Sequence, residues 1–143
     1  MSDSVKFHSL EFVAFPATVR TEWVHALFRD DNGIVSLVEI MKTGSRGNAV
    51  KYLVEGIEKI RGVAIKREED IPDLLGLVDE NIRGELDLAC AVSALRTAVT
   101  QFQSEYRGIS LTQALGGELC ESIPLYANIN RSLLGNRSPG AFA

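Results

Sequence analysis

Residues 23–40 have the sequence WVHALFRDDNGIVSLVEI, and this stretch decides the fold of the first third of the chain. The turn-forming run Asp30-Asp-Asn-Gly33 separates two segments rich in β-branched, aromatic and aliphatic side chains. Asn and Gly tolerate the positive φ angles of a tight turn. We therefore predict a β-hairpin with strands at residues 23–29 and 34–40.

A third strand is predicted before the hairpin, at residues 4–15, where apolar and polar side chains alternate. Phe7 and Phe12 lie on opposite parities of this alternation, which is typical of a strand with a β-bulge. Pro16 has no N–H and restricts the residue before it, so we expect the strand to end there and residues 17–22 to form a loop. The three strands predict an antiparallel meander.

The second half of the chain has the apolar periodicity of helices. Start and stop signals accompany it: Asn48 and Ser110 as N-caps, Pro72 in a first turn, and Gly62 and Gly108 after last turns. They predict helices at residues 49–61, 70–78, 85–106 and 111–115.

One more strand is predicted at residues 123–129, after the break at Gly116-Gly117. The tail at residues 133–143 is rich in Gly, Ser, Pro and Asn, and we expect it to be poorly ordered unless docked. Strands and helices are segregated along the chain, which predicts an α+β fold: a three-stranded antiparallel meander followed by a helical bundle.

Composition bounds the function. The length of 143 residues fits one domain, and the hydrophobic (45%) and charged (24%) fractions are those of ordinary globular proteins. A net charge of −4 without a dense basic cluster argues against nucleic-acid binding. No apolar run has the ~18 residues that span a bilayer, and no leader pattern opens the chain. We expect a cytoplasmic protein with Cys90 and Cys120 as free thiols.

Three later segments carry a family resemblance: AVSAL at residues 91–95, QALGG at 113–117 and IPLYANINR at 123–131. In this order they resemble the end of the N-terminal capping domain of the enolase superfamily, in its mandelate racemase and muconate lactonizing enzyme branch. The resemblance covers residues 5–132, by pattern in the first half and by residue identities from Ala91 onward. It implies a capping domain at residues 1–121 and the first strand of a (β/α) barrel within residues 122–143.

The chain departs from the family pattern inside the long helix. Where an acidic residue and a Trp-Asp pair usually follow Ala-Leu, this chain has Arg96, Val99, Thr100 and Gln101. The Pro that usually precedes the final short helix is Ser110. These differences leave the fold unchanged and the subgroup open.

The resemblance implies a function that depends on a longer polypeptide. A complete barrel takes about 250 residues, so residues from about 122 supply one barrel strand and the start of its helix. In the family, the Mg²⁺-binding carboxylates and the catalytic bases lie on later barrel strands, and the reaction abstracts a proton α to a carboxylate. The resemblance thus implies no catalytic residue, metal ligand or cofactor in this chain, Mg²⁺ in the parent enzyme, and the barrel of that enzyme as partner.

Two family loops cover the barrel mouth and select the substrate, and by resemblance they are residues 17–22 and 43–48. The candidate substrate-contacting residues of these loops are Thr18, Arg20, Thr21, Ser45 and Arg46. A guanidinium group presents a planar fork of donors that matches a carboxylate. Arg20 and Arg46 are therefore either substrate ligands or ordinary solvated loop arginines.

Asn128, Asn130 and Arg131 follow the predicted barrel strand, and functional side chains of such barrels project from the C-terminal strand ends. Asn128 and Asn130 share parity and point to one side of the strand. They either hydrogen-bond a polyhydroxy acid substrate or simply end the strand, as Asn often does.

The remaining reactive side chains have ordinary interpretations. His8 and His25 fall in predicted strands without a carboxylate or thiol at metal-ligand spacing, so we interpret both as sheet residues. Cys90 lies on the apolar face of the long helix and is expected to pack there.

A capping domain without its barrel is expected to expose an apolar patch, so we predict a homo-oligomer. The alternative to a capping domain is a free-standing interaction or oligomerisation module derived from it. The coding sequence beyond Ala143 distinguishes the two.

Overall fold

The computed structural model describes residues 4–16, 22–40, 48–118 and 120–125. Within them lies one antiparallel sheet with the strand order β1-β2-β3, followed by helices, so the predicted α+β meander is confirmed. The elements are β1 (Phe7–Pro16), β2 (Glu22–Asp30), β3 (Val35–Ile40), α1 (Asn48–Ile60), a 3-10 turn (Glu68–Asp70), α2 (Ile71–Leu75), α3 (Asp79–Gly84), α4 (Leu86–Arg107) and α5 (Leu111–Ala114).

The hairpin forms where the sequence predicts it. The Gly33 amide donates to the Asp30 carbonyl over 3.1 Å, and the Asp30 amide donates to the Ile34 carbonyl over 3.1 Å. Gly33 has a φ of 80°, whereas Asn32 has no positive φ, so the glycine alone supplies the left-handed residue of the turn. The predicted bulge in β1 is also confirmed, as a register shift between Phe7 and Ser9.

Most helix boundaries follow the predicted signals. Gly62 (φ 73°) and Gly108 (φ 63°) adopt the left-handed conformation after α1 and α4. The Ser110 hydroxyl accepts a hydrogen bond from the Gln113 amide over 3.2 Å, which confirms the predicted N-cap of α5.

Two helix predictions were wrong. Asn48, predicted as an N-cap, is the first residue of α1 itself. Residues 70–78 do not form one helix, because Gly76 adopts a φ of 67° and ends α2, and α3 then begins at Asp79. The stop at Gly76 is the same left-handed glycine signal that follows α1 and α4, and the prediction overlooked it at this position.

The strand predicted at residues 123–129 does not form in the described part of that segment, residues 123–125. Ile123 is 79% exposed and Leu125 is 94% exposed. A barrel strand needs neighbouring strands to pair its N–H and C=O groups, and the described sheet does not include this segment. Residues 126–129 of the prediction lie outside the described residues.

The core lies between one face of the sheet and the helices α1 and α4. Three aromatic rings meet in it: the ring centroid of Phe7 is 5.5 Å from that of Phe28 and 5.9 Å from that of Phe102. Leu53 of α1 and Leu95 of α4 are fully buried beside them. The opposite face of the sheet carries no helix among the described elements.

A buried carboxylate joins the hairpin to α4. Asp30 is 2% exposed, and its Oδ1 accepts from the amides of Asn32 (3.0 Å) and Ile34 (2.7 Å). Its Oδ2 accepts the hydroxyl of Tyr106, which in turn accepts from Asn32 Nδ2 over 2.8 Å. Burial, and then the hydrogen bond to Asp30, raise the pKa of Tyr106 above its ordinary value. Tyr106 therefore links the hairpin to the C-terminal end of α4.

None of the helices in the described ranges combines the length and apolar character needed to cross a membrane.

Replacing Gly33 by Ala is expected to lower the free energy of unfolding by about 1–2 kcal/mol, because an L-residue is strained at a φ of 80°. Gly84→Ala is the matched control: Gly84 is helical, has no positive φ and has open space around its Cα. The control is expected to be neutral or stabilising by about 0.5–1 kcal/mol. Urea denaturation of both variants measures the difference, and equal effects would contradict the turn assignment.

Tyr106 is expected to titrate at higher pH than an ordinary tyrosine in a spectrophotometric titration of the three tyrosines. A raised folded-state pKa favours the protonated phenol, so its contribution to stability is complete below the unfolded value of about 10. That contribution is lost as the pH rises through the folded pKa.

Tyr106→Phe is expected to remove the late-titrating phenol and to lower stability near neutral pH by about 1–2 kcal/mol, because Asp30 loses a donor. Tyr52→Phe is the control, since Tyr52 is a half-buried tyrosine of α1. If the titration of Tyr106→Phe still shows a late phase, the raised pKa belongs to another tyrosine.

Candidate functional site

The substrate-contacting residues predicted from the sequence all lie outside the described residues, so their positions stay predictions. They are Thr18, Arg20, Thr21, Ser45, Arg46, Asn128, Asn130 and Arg131.

The ends of the described strands show where the two predicted loop segments are attached to the sheet. Pro16 pairs with Glu22 across β1 and β2, and Val24 pairs with Ile40 across β2 and β3. The residues that flank segments 17–21 and 41–47 on the sheet therefore lie at one end of it. The hairpin turn lies at the opposite end.

A buried carboxylate lies where the second of these segments joins α1. Asp87, in the first turn of α4, is 7% exposed, and its Oδ2 accepts the Asn48 amide over 2.9 Å. Its Oδ1 is buried without a hydrogen-bond partner. A carboxylate at a helix N-terminus is stabilised by free amide groups and by the helix dipole. Asp87 therefore fixes the start of α1 against α4.

Sequence reasoning missed Asp87. The contact with Asn48 joins residues 39 positions apart, and an acidic residue in a first helical turn is expected for its own helix dipole. The one usable signal was an acidic residue at the start of a helix whose neighbouring positions are apolar.

A groove of about 430 Å³ runs along α4, between α3 and α5. On one side, Arg96 forms a two-pronged contact with Glu68: Nη2 donates to Oε1 over 2.9 Å, and Nε donates to Oε2. The Glu68 hydrogen bond raises the pKa of Arg96, although burial opposes the shift. A second ion pair, Arg83 with Asp79 at 3.4 Å, belongs to the same lining.

The charges of this groove are mutually neutralised, and its remaining polar lining is mainly hydroxyl groups. Ser93 and Thr97 line it together with Pro72, Ile82 and Leu111. Its lining contains no His or Cys, so it does not pair a nucleophile with a neutral base. Chemically the groove offers donors and apolar surface to a ligand.

The acidic run at residues 68–70 does not converge on one point. Glu68 contacts Arg96, whereas Asp70 contacts Arg67, with 2.7 Å between Oδ1 and Nη2. The hydrogen bond from Arg67 lowers the pKa of Asp70. Across the described ranges, no group of three or more His, Cys, Asp or Glu side chains is placed to hold a metal ion.

The histidines and cysteines occupy the predicted elements. His8 lies in β1, with Nδ1 3.6 Å from Asp31 Oδ1, and His25 lies in β2, against the ring of Phe15 at 5.5 Å. Cys90 is half-buried on α4 and packs against the core, as predicted, and Cys120 is an exposed free thiol.

The fold and these contacts define an α+β domain of one small sheet and a layer of helices. No protein-family model, curated protein or solved structure matches the chain.

Asp87→Ala is expected to lower the free energy of unfolding by about 1–2 kcal/mol, because the Asn48 amide loses its cap. Asp87→Asn keeps an acceptor and should cost less. Asp79→Ala is the control, since Asp79 also lies in a first helical turn but its side chain is 81% exposed. If chemical denaturation shows equal effects for Asp87→Ala and the control, the cap does not hold α1.

Proposed function

We propose that this chain is the N-terminal capping and substrate-specificity domain of an enolase-superfamily enzyme of the mandelate racemase and muconate lactonizing kind. The parent reaction is Mg²⁺-dependent racemisation, cycloisomerisation or dehydration of a carboxylate substrate. The domain shapes the substrate pocket and excludes water, and the barrel of the same enzyme performs the chemistry. We further propose that the protein acts in the cytoplasm.

The observation that carries the proposal is the position of the described strand ends that flank the two predicted loop segments. Both attach at the same end of the sheet, through Pro16 and Glu22 in one case and Ile40 in the other. Substrate-selecting loops must converge on one pocket while rigid elements hold their ends. The rigid elements are present: paired strands on one side and α1, capped by Asp87, on the other.

The motifs of the resemblance support the same conclusion from the helical half. The AVSAL segment lies in α4 and supplies the core residues Ala91 and Leu95. Residues 113–117 form the end of α5 and the turn after it, where Gly116 adopts a φ of 76°.

Magnesium does not fit the described residues. Mg²⁺ prefers carboxylate and water oxygens in octahedral geometry. The carboxylates of Glu68 and Asp70 turn to different arginines, and that of Asp87 caps a helix. We propose that the metal is held by the barrel domain of the parent enzyme.

The proposal is tested on the 143-residue chain and, where the reading frame continues past Ala143, on the longer polypeptide that it encodes. With Mg²⁺, the chain alone should not exchange the α-proton of any carboxylate substrate for deuterium, measured by NMR, whereas the longer polypeptide should. Turnover by the chain alone would refute the capping role.

In the longer polypeptide, Arg20→Ala and Arg46→Ala should raise KM about tenfold or more with a smaller change in kcat, because each removes a charge-assisted hydrogen bond to the carboxylate. Lys51→Ala is the control, since its side chain is 69% exposed on α1. Unchanged KM values in both arginine variants would show that these residues are solvated.

A second candidate function is a free-standing interaction module derived from the capping domain. The observation that favours it is the half-exposed apolar side chains of the sheet, including Phe15, Trp23 and Leu37. A reading frame that continues into barrel strands after Ala143 supports the capping domain, and a stop codon there supports the module.

A further inference from the structure

The sheet has an outer face that points away from the helices. Ala26 and Phe28 of β2 are buried in the core, so the odd-numbered residues of β2 and β3 project from the other side, as do those of β1 from Ser9 onward, after the bulge. We call this surface the outer face, and it consists of Ser9, Glu11, Val13, Phe15, Trp23, His25, Leu27, Arg29, Val35, Leu37 and Glu39.

The outer face carries more apolar side chains than is usual for a sheet face in contact with water. Phe15 is 50% exposed, Trp23 54%, Val35 43% and Leu37 50%. The strand register groups them into two cross-strand pairs, Phe15 with Trp23 and Leu27 with Leu37, and Val13, His25 and Glu39 form the row between these pairs. On the solvated face of an antiparallel sheet, the side chains are normally polar. The outer face is largely apolar, so it has the composition of a contact surface.

The charges of the outer face are nearly balanced. Arg29 lies 3.7 Å from Glu11 and pairs with it, and Glu39 is the other carboxylate of the face. With His25 neutral, one positive and two negative charges give the face a net charge of −1, whereas the whole chain carries −4. Two outer faces can therefore approach each other with little repulsion.

We propose that the outer face binds the outer face of a second copy of this chain, around a two-fold axis that lies in the interface and runs across the strands. This axis stacks β2 on β2 in opposite directions, so that Arg29 of each copy lies over Trp23 of the other. A guanidinium over an indole face is a favourable cation–π contact, and the two-fold axis forms it twice.

A two-fold axis along the strands is disfavoured by the same residues. It would place Arg29 directly over Arg29 and Trp23 over Trp23, so the two cations would repel each other. Arg29 and Trp23 lie six residues apart on the same face of β2. Their positions therefore favour the two-fold axis that runs across the strands.

The size of the outer face sets the strength of the dimer. Three strands about 4.8 Å apart and four rows of side chains about 7 Å apart cover roughly 300–400 Å² per copy. Each half-exposed aromatic ring adds roughly 75–125 Å² of accessible surface. The dimer therefore belongs to the small, transient class that buries less than about 1,200 Å² in total, with a Kd in the micromolar range or weaker.

The test is sedimentation velocity of the full 143-residue chain over a wide concentration range. The expected result is a reversible monomer to dimer transition. Leu37→Lys and Trp23→Lys should each weaken the dimer at least tenfold, because a buried unpaired ammonium group is costly. Trp23→Leu should weaken it several-fold, since it keeps apolar surface and removes the cation–π contact.

Val78→Lys and Leu86→Lys are the matched controls, because these side chains are 57% and 61% exposed but lie at the helical side of the molecule. Circular-dichroism melts verify that each variant folds. The proposal is overturned if the chain stays monomeric at all concentrations. It is also overturned if the dimer persists in both lysine variants while they remain folded, as a dimer paired edge to edge would, or if the control variants weaken the dimer equally. The inference does not rest on the capping role. A monomeric chain would refute the dimer, but it would not contradict the proposal that the domain caps a barrel.

Discussion

The packing of α4 against one face of the sheet is the constraint on which the rest of this structure depends. Ala91, Leu95, Ala98 and Phe102 recur along one side of the helix and are all buried. Phe102 reaches the aromatic pair of the sheet, with its ring centroid 5.9 Å from that of Phe7. The helix covers an apolar sheet face that would otherwise be exposed to water, so its packing stabilises the meander.

Polar contacts then fix how α4 lies on that sheet. The Tyr106 hydroxyl binds the carboxylate of Asp30 near the end of the helix, and the Ser36 hydroxyl binds Gln101 one turn earlier. These bonds satisfy polar groups that the packing buries, and unsatisfied ones would be costly. Hydrophobic burial supplies the attraction, and the hydrogen bonds select one arrangement of helix and sheet.

The two faces of the sheet have different consequences for function. Because β1 and β3 run in the same direction in the meander, Pro16 and Ile40 lie at the same end of the sheet. The outer face keeps apolar side chains such as Trp23 half-exposed. The first feature supports the proposed capping role, and the second supports contact with another copy. The composition of the outer face depends on the strand register, because a shift by one residue would exchange the two faces of a strand.

The sequence by itself determined the local features: the Asp30-to-Gly33 turn, the bulge in β1, the long helix with its Gly108 stop and the Ser110 cap. Each depends on residues within a few positions of one another. Only the tertiary structure revealed Asp87 as the cap of α1, since partners far apart in sequence leave no local pattern. It also decided that residues 122–125 form no strand, because a strand exists only through its neighbours.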